Sequence, residues 1–169
     1  SPAFILDNSD EAKGMELLGI KVAGSSGDIV DMWNKNLFDE AIVAIGGSLK
    51  VREKMYNVLS ENKIPIANII DSSVKFGINC KLGKGNVILN NCYFGNFSVL
   101  GNNNYFLNQC SIQHDSIIGD HNYFATNVSI GAKVKIGSCN RLGIKAVIET
   151  NGELKSNITL NSMELIKNI

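Results

Sequence analysis

The sequence predicts an α/β lobe over residues 1–70, followed by a parallel β-helix over residues 71–169. From Phe76 to Ile166, every sixth residue is Ile, Leu or Phe. This period fits neither an amphipathic helix of about 3.6 residues per turn nor an isolated alternating strand. Before residue 71, short apolar runs alternate with segments of helical spacing, which is typical of a partial Rossmann-like fold with a parallel sheet.

In a β-helix, six residues form one side of a triangular coil and the sixth side chain points inwards. A coil therefore takes about eighteen residues and lies about 4.8 Å from the next coil. The residue four positions after each apolar residue is mostly small, so we expect it to point inwards too. The inward apolar positions are Phe76, Leu82, Ile88, Phe94, Leu100, Phe106, Ile112, Ile118, Phe124, Ile130, Ile136, Leu142, Ile148, Leu154, Leu160 and Ile166.

The corners of the coils have their own residue pattern. Glycine often follows the apolar residue, as at Gly77, Gly95 and Gly131, and we expect a tight corner there to need a positive φ. Asn is abundant between residues 86 and 127, and Asn tolerates the left-handed conformation and bonds its own backbone at turns. We therefore interpret these asparagines as turn residues.

The first seventy residues predict short strands and two helices. Residues 40–46 form an apolar run that is typical of a parallel strand and is stopped by Gly46 and Gly47. The remaining predicted segments are strands over 3–8 and 21–25, helices over 26–36 and 49–61, and an extended connection over 66–70.

Parallel sheets bind ligands at the carboxyl ends of their strands. Asp7, Asn8, Gly24 and Gly46 lie at predicted strand ends, so they are candidate substrate-binding residues. Ordinary turn formation explains each of them equally well when it is taken alone.

Composition narrows the class of protein. Sixteen basic and sixteen acidic residues give a formal net charge of zero, and the absence of a basic stripe argues against nucleic-acid binding. No apolar run approaches the roughly 18 residues of a membrane span, and no signal peptide is recognisable, so we expect a cytoplasmic protein. Three of the four cysteines occupy the small inward position, which favours buried thiols over a metal site.

An α/β lobe, an Ile-Ala-Asn-Ile-Ile linker and hexapeptide coils together resemble the nucleotide-sugar and sialic-acid acetyltransferase family. The family includes the UDP-4-amino-sugar N-acetyltransferases of bacillosamine synthesis. The resemblance implies a left-handed β-helix, although right-handed crossovers are the general preference. It also implies a homotrimer with acetyl-CoA between two subunits, no metal, and transfer to an amino or hydroxyl group of a sugar.

The resemblance implies roles for particular residues in the first lobe. The family binds the nucleotide or sugar through a strand-end Asp pair, which Asp7 and Asn8 match by half, and through backbone at positions corresponding to Gly24 and Gly46. Two departures stand out. The family's opening strand with its Gly-x-Gly-Gly loop and its closing Gly-Asn-Pro-Ala segment have no counterpart, so we expect either a shortened chain or an unusual member.

His114 lies in a stretch, Ile112 to Asp120, that resembles the family's catalytic segment. It stands two positions after Ile112, in an outward-facing register, and neutral imidazole suits a general base near pH 7. Adjacent residues of an extended strand point in opposite directions, so Asp115 would assist His114 through a turn or in a neighbouring subunit.

One coil after His114 lies Ala132, whose backbone N–H the family places against the thioester oxygen. Gly131 and Asn96 are assigned with it to cofactor binding. His121 is interpreted as a surface histidine, and the family's second histidine corresponds here to Tyr123.

Other functions remain open at this stage. A sialic-acid-type O-acetyltransferase and a non-catalytic trimeric scaffold are both compatible with the repeat. A carbonic anhydrase of this fold needs three histidine ligands for zinc, and the chain has two.

Overall fold

The structure is a computed structural model that describes residues 2–167. The chain divides into two compact units. One comprises the chain up to Ala41 together with Asn57–Ile66, and the other comprises Ile42–Tyr56 together with the chain from Ala67 onwards.

The first unit contains a small mixed sheet with the strand order β1 (Ile5–Leu6), β3 (Ile20–Gly24), β2 (Glu16–Leu17). Strand β1 is parallel to β3, whereas β2 is antiparallel to β3 through a tight turn at Leu18 and Gly19, which have φ values of 51° and 81°. Parallel pairing, expected throughout this lobe, therefore holds for one pair of strands. The elements of the first part of the chain are β1 (Ile5–Leu6), a 3-10 helix (Asp10–Ala12), β2 (Glu16–Leu17), β3 (Ile20–Gly24), a 3-10 helix (Ser26–Asp28), α1 (Ile29–Asn34) and α2 (Leu49–Glu61).

The strand predicted over residues 40–46 is absent. Ala41 makes a single parallel bridge with Ile66, and the segment then continues without regular structure. The reason lies in the backbone acceptors. The carbonyls of Val43 and Ile45 bond the guanidinium of Arg52 at 2.6 and 3.4 Å, so they are not available to a neighbouring strand. Helix α2, by contrast, has the predicted bounds.

From residue 69 onwards the second unit is a β-helix of two-residue strands. Its strands form three parallel sheets, in which each strand pairs with the strand eighteen residues away. The strands are β4 (Ile69–Ile70), β5 (Lys75–Phe76), β6 (Lys81–Leu82), β7 (Val87–Ile88), β8 (Tyr93–Phe94), β9 (Val99–Leu100), β10 (Tyr105–Phe106), β11 (Ser111–Ile112), β12 (Ile117–Ile118), β13 (Tyr123–Phe124), β14 (Ser129–Ile130), β15 (Lys135–Ile136), β16 (Arg141–Leu142), β17 (Val147–Ile148), β18 (Glu153–Leu154), β19 (Thr159–Leu160) and β20 (Leu165–Ile166).

The predicted inward positions form the core. Every apolar repeat residue from Ile88 to Leu160 is buried, and the small residues four positions later are buried from Asn86 to Ala146. Phe94, Phe106 and Phe124 pack along the axis, with ring centroids 5.1 and 4.3 Å apart. Burial of this continuous apolar stack stabilises the β-helix by about 25 cal/mol per Å² of apolar surface removed from water.

A buried ladder of asparagines runs along one corner of the prism. The backbone N–H groups of Asn86, Asn104, Asn122 and Asn140 each donate to the side-chain oxygen of the asparagine eighteen residues earlier, at 2.8–2.9 Å. Buried amides are stable only when they are hydrogen-bonded, so an inward asparagine is compatible with the core because the next coil supplies its partner.

The glycines after the apolar residues correct the expectation of a positive φ. Gly95, Gly131 and Gly143 are not left-handed; the left-handed residue stands two positions later in each corner, for example Asn79 or Asp115. These glycines are instead required by space. A Cβ built on Gly95 would lie 2.5 Å from the backbone nitrogen of His114 in the next coil.

We predict that Gly143→Ala lowers the stability of the β-helix, because its Cβ would lie 2.5 Å from the carbonyl carbon of Asn161 and 2.8 Å from its oxygen. Backbone cannot move aside as a side chain can, and overpacking of this kind costs about 1–3 kcal/mol. Gly47→Ala is the matched control, since a Cβ there meets nothing within 4 Å. Thermal unfolding measures both, and equal melting temperatures would contradict the steric explanation.

Candidate functional site

His114 and Asp115 form a hydrogen-bonded pair at one corner of the β-helix. Nδ1 of His114 lies 2.7 Å from Oδ2 of Asp115. The contact exists because Asp115 has a left-handed backbone, with φ 59°, so two sequence neighbours turn to the same side. Of the two routes considered from sequence, the structure therefore places this contact within one chain, through a turn.

The pair is open to solvent. The side chains of His114 and Asp115 are 53% and 45% exposed, and an ion pair at such a site contributes at most about 1 kcal/mol to stability. A carboxylate on Nδ1 fixes the imidazole so that Nδ1 carries the proton and Nε2 presents its lone pair outwards. The arrangement is thus better suited to proton transfer than to holding the fold together.

The backbone around His114 is fixed by bonds between coils. The N–H of Asp115 donates to the carbonyl of Asn96 at 2.9 Å, and the N–H of Lys133 donates to the carbonyl of His114 at 2.9 Å. Asn96, His114 and Ala132 therefore stack in one column, as their eighteen-residue spacing predicts. The side-chain oxygen of Asn96 accepts the N–H of Ile78 at 2.8 Å, and its amide nitrogen makes no bond within residues 2–167.

The backbone N–H of Ala132 has no hydrogen-bond acceptor among residues 2–167. At some equivalent corners the N–H donates to a side chain in the next coil, as from Lys84 to Asn102 and from Ser138 to Ser156, both at 2.9 Å. At others, such as His114, it has no acceptor among residues 2–167, as at Ala132. A donor held in a rigid corner and lacking a protein partner can bond an oxyanion. Gly131, directly before it, has no room for a side chain against the next coil.

Two of the candidate substrate residues line a pocket in the first unit. This pocket, of about 360 Å³, is bordered by Asp7, Lys13, Gly14, Val22, Ala23, Gly24, Ser25 and Asp28. The backbone N–H and hydroxyl of Ser9 donate to Asp7 Oδ1 at 2.8 and 2.7 Å, and these bonds lower the pKa of Asp7. Asp7 is therefore an anion at neutral pH.

Asn8, by contrast, is engaged in loop structure. Its Oδ1 accepts the backbone N–H of Ser26 at 2.8 Å, and its amide donates to the Ser26 hydroxyl at 2.8 Å. Gly24 is also explained by local packing, because a Cβ there would lie 2.7 Å from Oδ2 of Asp28. For both residues, the turn interpretation accounts for the observed contacts.

Asp28 is a charged pocket residue that the sequence reasoning missed. Its carboxylate accepts the backbone N–H and the hydroxyl of Ser25, both at 2.8 Å, and these bonds lower the pKa of Asp28. The sequence contains a pattern that could have identified Asp28. Ser25 and Asp28 have the spacing of a capping box, in which the acidic residue lies three positions after the N-cap residue.

Gly46 belongs to the second unit, where a Cβ on it would lie 3.8 Å from the ring of Tyr105. The carbonyl of the preceding residue, Ile45, accepts a bond from Arg52, which is 1% exposed. The guanidinium of Arg52 donates to the carbonyls of Val43, Ile45, Gly85, Asn103 and Asn104, and it lies 5.0 Å from the Tyr105 ring centroid. From sequence, Arg52 looks like any charged residue on an amphipathic helix.

His121, expected at the surface, is half-buried. Its Nδ1 lies 2.8 Å from the side-chain nitrogen of Asn103, and its ring packs edge-on against Tyr56 at 5.3 Å. Burial lowers the pKa of His121, outweighing the opposing influence of Glu53 and Asp120. The expectation was wrong because α2 lies beside this corner.

Among residues 2–167, no group of three or more His, Cys, Asp or Glu side chains is arranged to hold a metal ion. No helix in this part of the chain is both long enough and apolar enough to cross a membrane.

No protein-family model and no curated protein matches the chain. Among solved structures, the chain resembles the acetyltransferase domain of PglB from Neisseria gonorrhoeae, with 17% identity, a TM-score of 0.84, and coverage of 96% of this chain and 77% of that one. It also resembles PerB from Caulobacter crescentus in complex with CoA and GDP-perosamine, with 18% identity, a TM-score of 0.59, and coverage of 90% and 77%. At such identities the likeness establishes the fold, and the β-helix predicted from the repeat is confirmed.

We predict that Arg52→Met destabilises the second unit by about 2–4 kcal/mol, because five backbone carbonyls lose their donor and several are buried. Lys54→Met is the control, since Lys54 is exposed on the same helix. Denaturant titration of both variants gives the two free energies of unfolding, and a loss below about 1 kcal/mol for Arg52→Met would contradict a structural role for its bonds.

We predict that His121 makes the protein less stable in acid. Its pKa is lowered in the folded state, so the unfolded chain takes up the proton first as the pH falls below about 6.5. The stability contributed by neutral His121 is full above that pH and is lost as the pH falls through the folded-state pKa. Free energies of unfolding measured between pH 7.5 and 5 should depend less on pH in His121→Gln. An equal dependence would exclude this role.

Proposed function

We propose that the chain is an acetyl-CoA-dependent acetyltransferase that acylates an amino or hydroxyl group of a nucleotide-activated sugar, with His114 as general base. The observation that carries the proposal is the solvent-facing imidazole held by Asp115, one coil from an N–H donor without a protein acceptor at Ala132. Acyl transfer from a thioester needs a base for the acceptor's proton and a donor for the oxyanion, and this corner supplies both.

Each residue of the candidate site has its own role in the proposed acetyl transfer. Nε2 of His114 takes the proton as the acceptor's nitrogen or oxygen attacks the thioester carbonyl. Asp115 stabilises the resulting imidazolium through Nδ1. Ala132 N–H donates to the oxygen on which negative charge develops, and His114 then returns its proton to the departing sulfur. Gly131 and the amide nitrogen of Asn96 would flank the co-substrate. No step requires a metal.

A nucleotide sugar is the proposed acceptor. Solved structures of this fold include the PglB acetyltransferase domain in complex with acetyl coenzyme A, at a TM-score of 0.61 and 15% identity, and PerB with CoA and GDP-perosamine. The region 1–70 would bind the nucleotide sugar and the region 71–169 would carry out the transfer. We propose Asp7 and Gly24, which border the pocket described above, as substrate contacts. Asn8 and Gly46 stay predictions from sequence, because Asn8 bonds Ser26 and Gly46 belongs to the second unit.

We further propose a cytoplasmic homotrimer. On the outer face of the sheet that contains β11 and β14, the small residues Ser111 and Ser129 lie between Tyr93 and Val147, so a neighbouring prism can approach closely at the two serines. Acetyl-CoA would then lie in the groove between two subunits, beside the column of Asn96, His114 and Ala132.

We predict that His114→Gln lowers kcat by a factor of about 10²–10⁴, because general base catalysis is lost while the corner backbone remains. Asp115→Asn should lower kcat less, since it removes the stabilisation of the imidazolium but leaves Nε2 in place. His121→Gln is the control and should retain kcat at pH 8. Release of CoA thiol from acetyl-CoA, with GDP-perosamine and a UDP-4-amino-sugar as acceptors, measures turnover.

Calorimetric titration of acetyl-CoA separates the alternatives. Binding by both the parent and His114→Gln, with turnover only in the parent, would support the acetyltransferase with His114 as base. Binding of acetyl-CoA without turnover would support the proposed co-substrate and contradict the proposed acceptor. Sialic acid would then be the next acceptor to test. No binding at all would favour a non-catalytic scaffold.

A further inference from the structure

Phe97 has an unusual backbone conformation for its residue type. Its φ is 60°, in the left-handed region, where a bulky side chain is disfavoured. Most corner residues with this conformation are Asn, Asp, Gln, His or Lys, and among residues 2–167 Phe97 is the only one with a hydrocarbon ring. Two bonds hold it there, from its own N–H to the carbonyl of Ile78 at 2.8 Å and from the hydroxyl of Ser98 to the carbonyl of Gly95 at 2.7 Å.

The ring of Phe97 is also exposed, at 52%. A residue that is both strained and solvent-facing contributes little to the core, so its local cost is not offset by burial. Strain of this kind concentrates at binding and catalytic sites.

Phe97 stands beside the candidate catalytic pair. It lies eighteen residues before Asp115, in the same column of the same corner, and consecutive coils are about 4.8 Å apart. The bond from Asp115 N–H to the Asn96 carbonyl, at 2.9 Å, joins the two coils at this point. An aromatic ring is therefore displayed one coil away from the imidazole of His114.

The two sides of His114 differ in chemistry. Towards the N-terminal coils the corner displays Ile78, which is 67% exposed, and Phe97. Towards the C-terminal coils it offers the N–H of Ala132 and the exposed cation Lys133. Lys133 and the N–H of Ala132 suit the phosphates and the thioester oxygen of CoA. Asn96, proposed above to flank the co-substrate, directly precedes Phe97, so the ring of Phe97 is left for the acceptor at the acetyl end of the co-substrate.

We propose that Phe97 is a specificity-determining residue that packs its ring against an apolar face of the acceptor sugar; this rests on the function proposed above. The ligand class is an amino sugar with a contiguous C–H surface, such as a deoxy sugar in which a methyl group replaces a hydroxymethyl group. Binding sites of this kind combine an aromatic wall with few polar groups that fix orientation, here His114 and Asp115.

Replacement of Phe97 separates binding from stability. Phe97→Asn puts a residue that tolerates the left-handed conformation at this corner, so the melting temperature should rise. The same change removes the ring, so the KM for GDP-perosamine or for a UDP-4-amino-6-deoxy sugar should rise at least tenfold, with the KM for acetyl-CoA unchanged. Phe97→Tyr keeps the ring and should retain the parent KM values.

Met163→Asn is the matched control. Met163 is also an exposed apolar residue with a left-handed backbone, at φ 61° and 75% exposure, but it belongs to a different corner and coil. It should raise the melting temperature and leave every KM unchanged.

Each outcome distinguishes this inference from the proposed function. Parent turnover that His114→Gln abolishes, together with an unchanged acceptor KM in Phe97→Asn, would overturn the inference alone. A raised KM for acetyl-CoA would instead place the ring against the co-substrate, and a smaller assembly by light scattering would make it an interface residue; both contradict the proposal. Absence of turnover by the parent would overturn the proposed function and this inference with it.

Discussion

Hydrogen bonding between coils at an exact spacing of eighteen residues is the constraint on which the second unit depends. Each strand contributes only two residues, so no strand is stable by itself, and the N–H and C=O groups of one coil are satisfied by the next. This requirement fixes the register of every inward side chain. It explains why Ile, Leu and Phe recur without interruption, why asparagine can be buried as a ladder, and why several corners exclude a Cβ.

The candidate site is held in place by the same hydrogen bonds between coils. His114, Asp115 and Ala132 are placed by backbone bonds that also occur at ordinary corners, so the site needs no special fold. What differs is the side chains. Thr150 supplies no acceptor to the N–H of Ala132, whereas some corners have Asn, Asp or Ser in that place, and the N–H of Ala132 is left as a donor beside the imidazole of His114. A catalytic corner can thus arise in a repeat by substitution of a few exposed residues.

Arg52 binds backbone carbonyl groups that the coils of the β-helix leave available. The corners near Gly85 and Asn103 present carbonyls that the coil ladder does not fully use, and a single buried guanidinium collects them together with those of Val43 and Ile45. Burial lowers the pKa of Arg52 to about 10, and the residue stays charged at neutral pH. Arg52 has no carboxylate partner among residues 2–167, and the cation is stable here because carbonyl oxygens and the Tyr105 ring surround it.

The β-helix, its register, its core and helix α2 could be predicted from the residue pattern, because a six-residue period and the spacing of α2 are local signals that burial enforces at every turn. His114 was also a candidate from sequence, through its outward register and the resemblance of its surroundings. The folded structure was needed to show that Asp115 reaches His114, that residues 40–46 do not form a strand, and that His121 is half-buried. Each of these features depends on a left-handed corner or on the position of α2 beside the coils. A periodic residue pattern predicts neither a backbone dihedral angle nor a contact between residues that are distant in sequence.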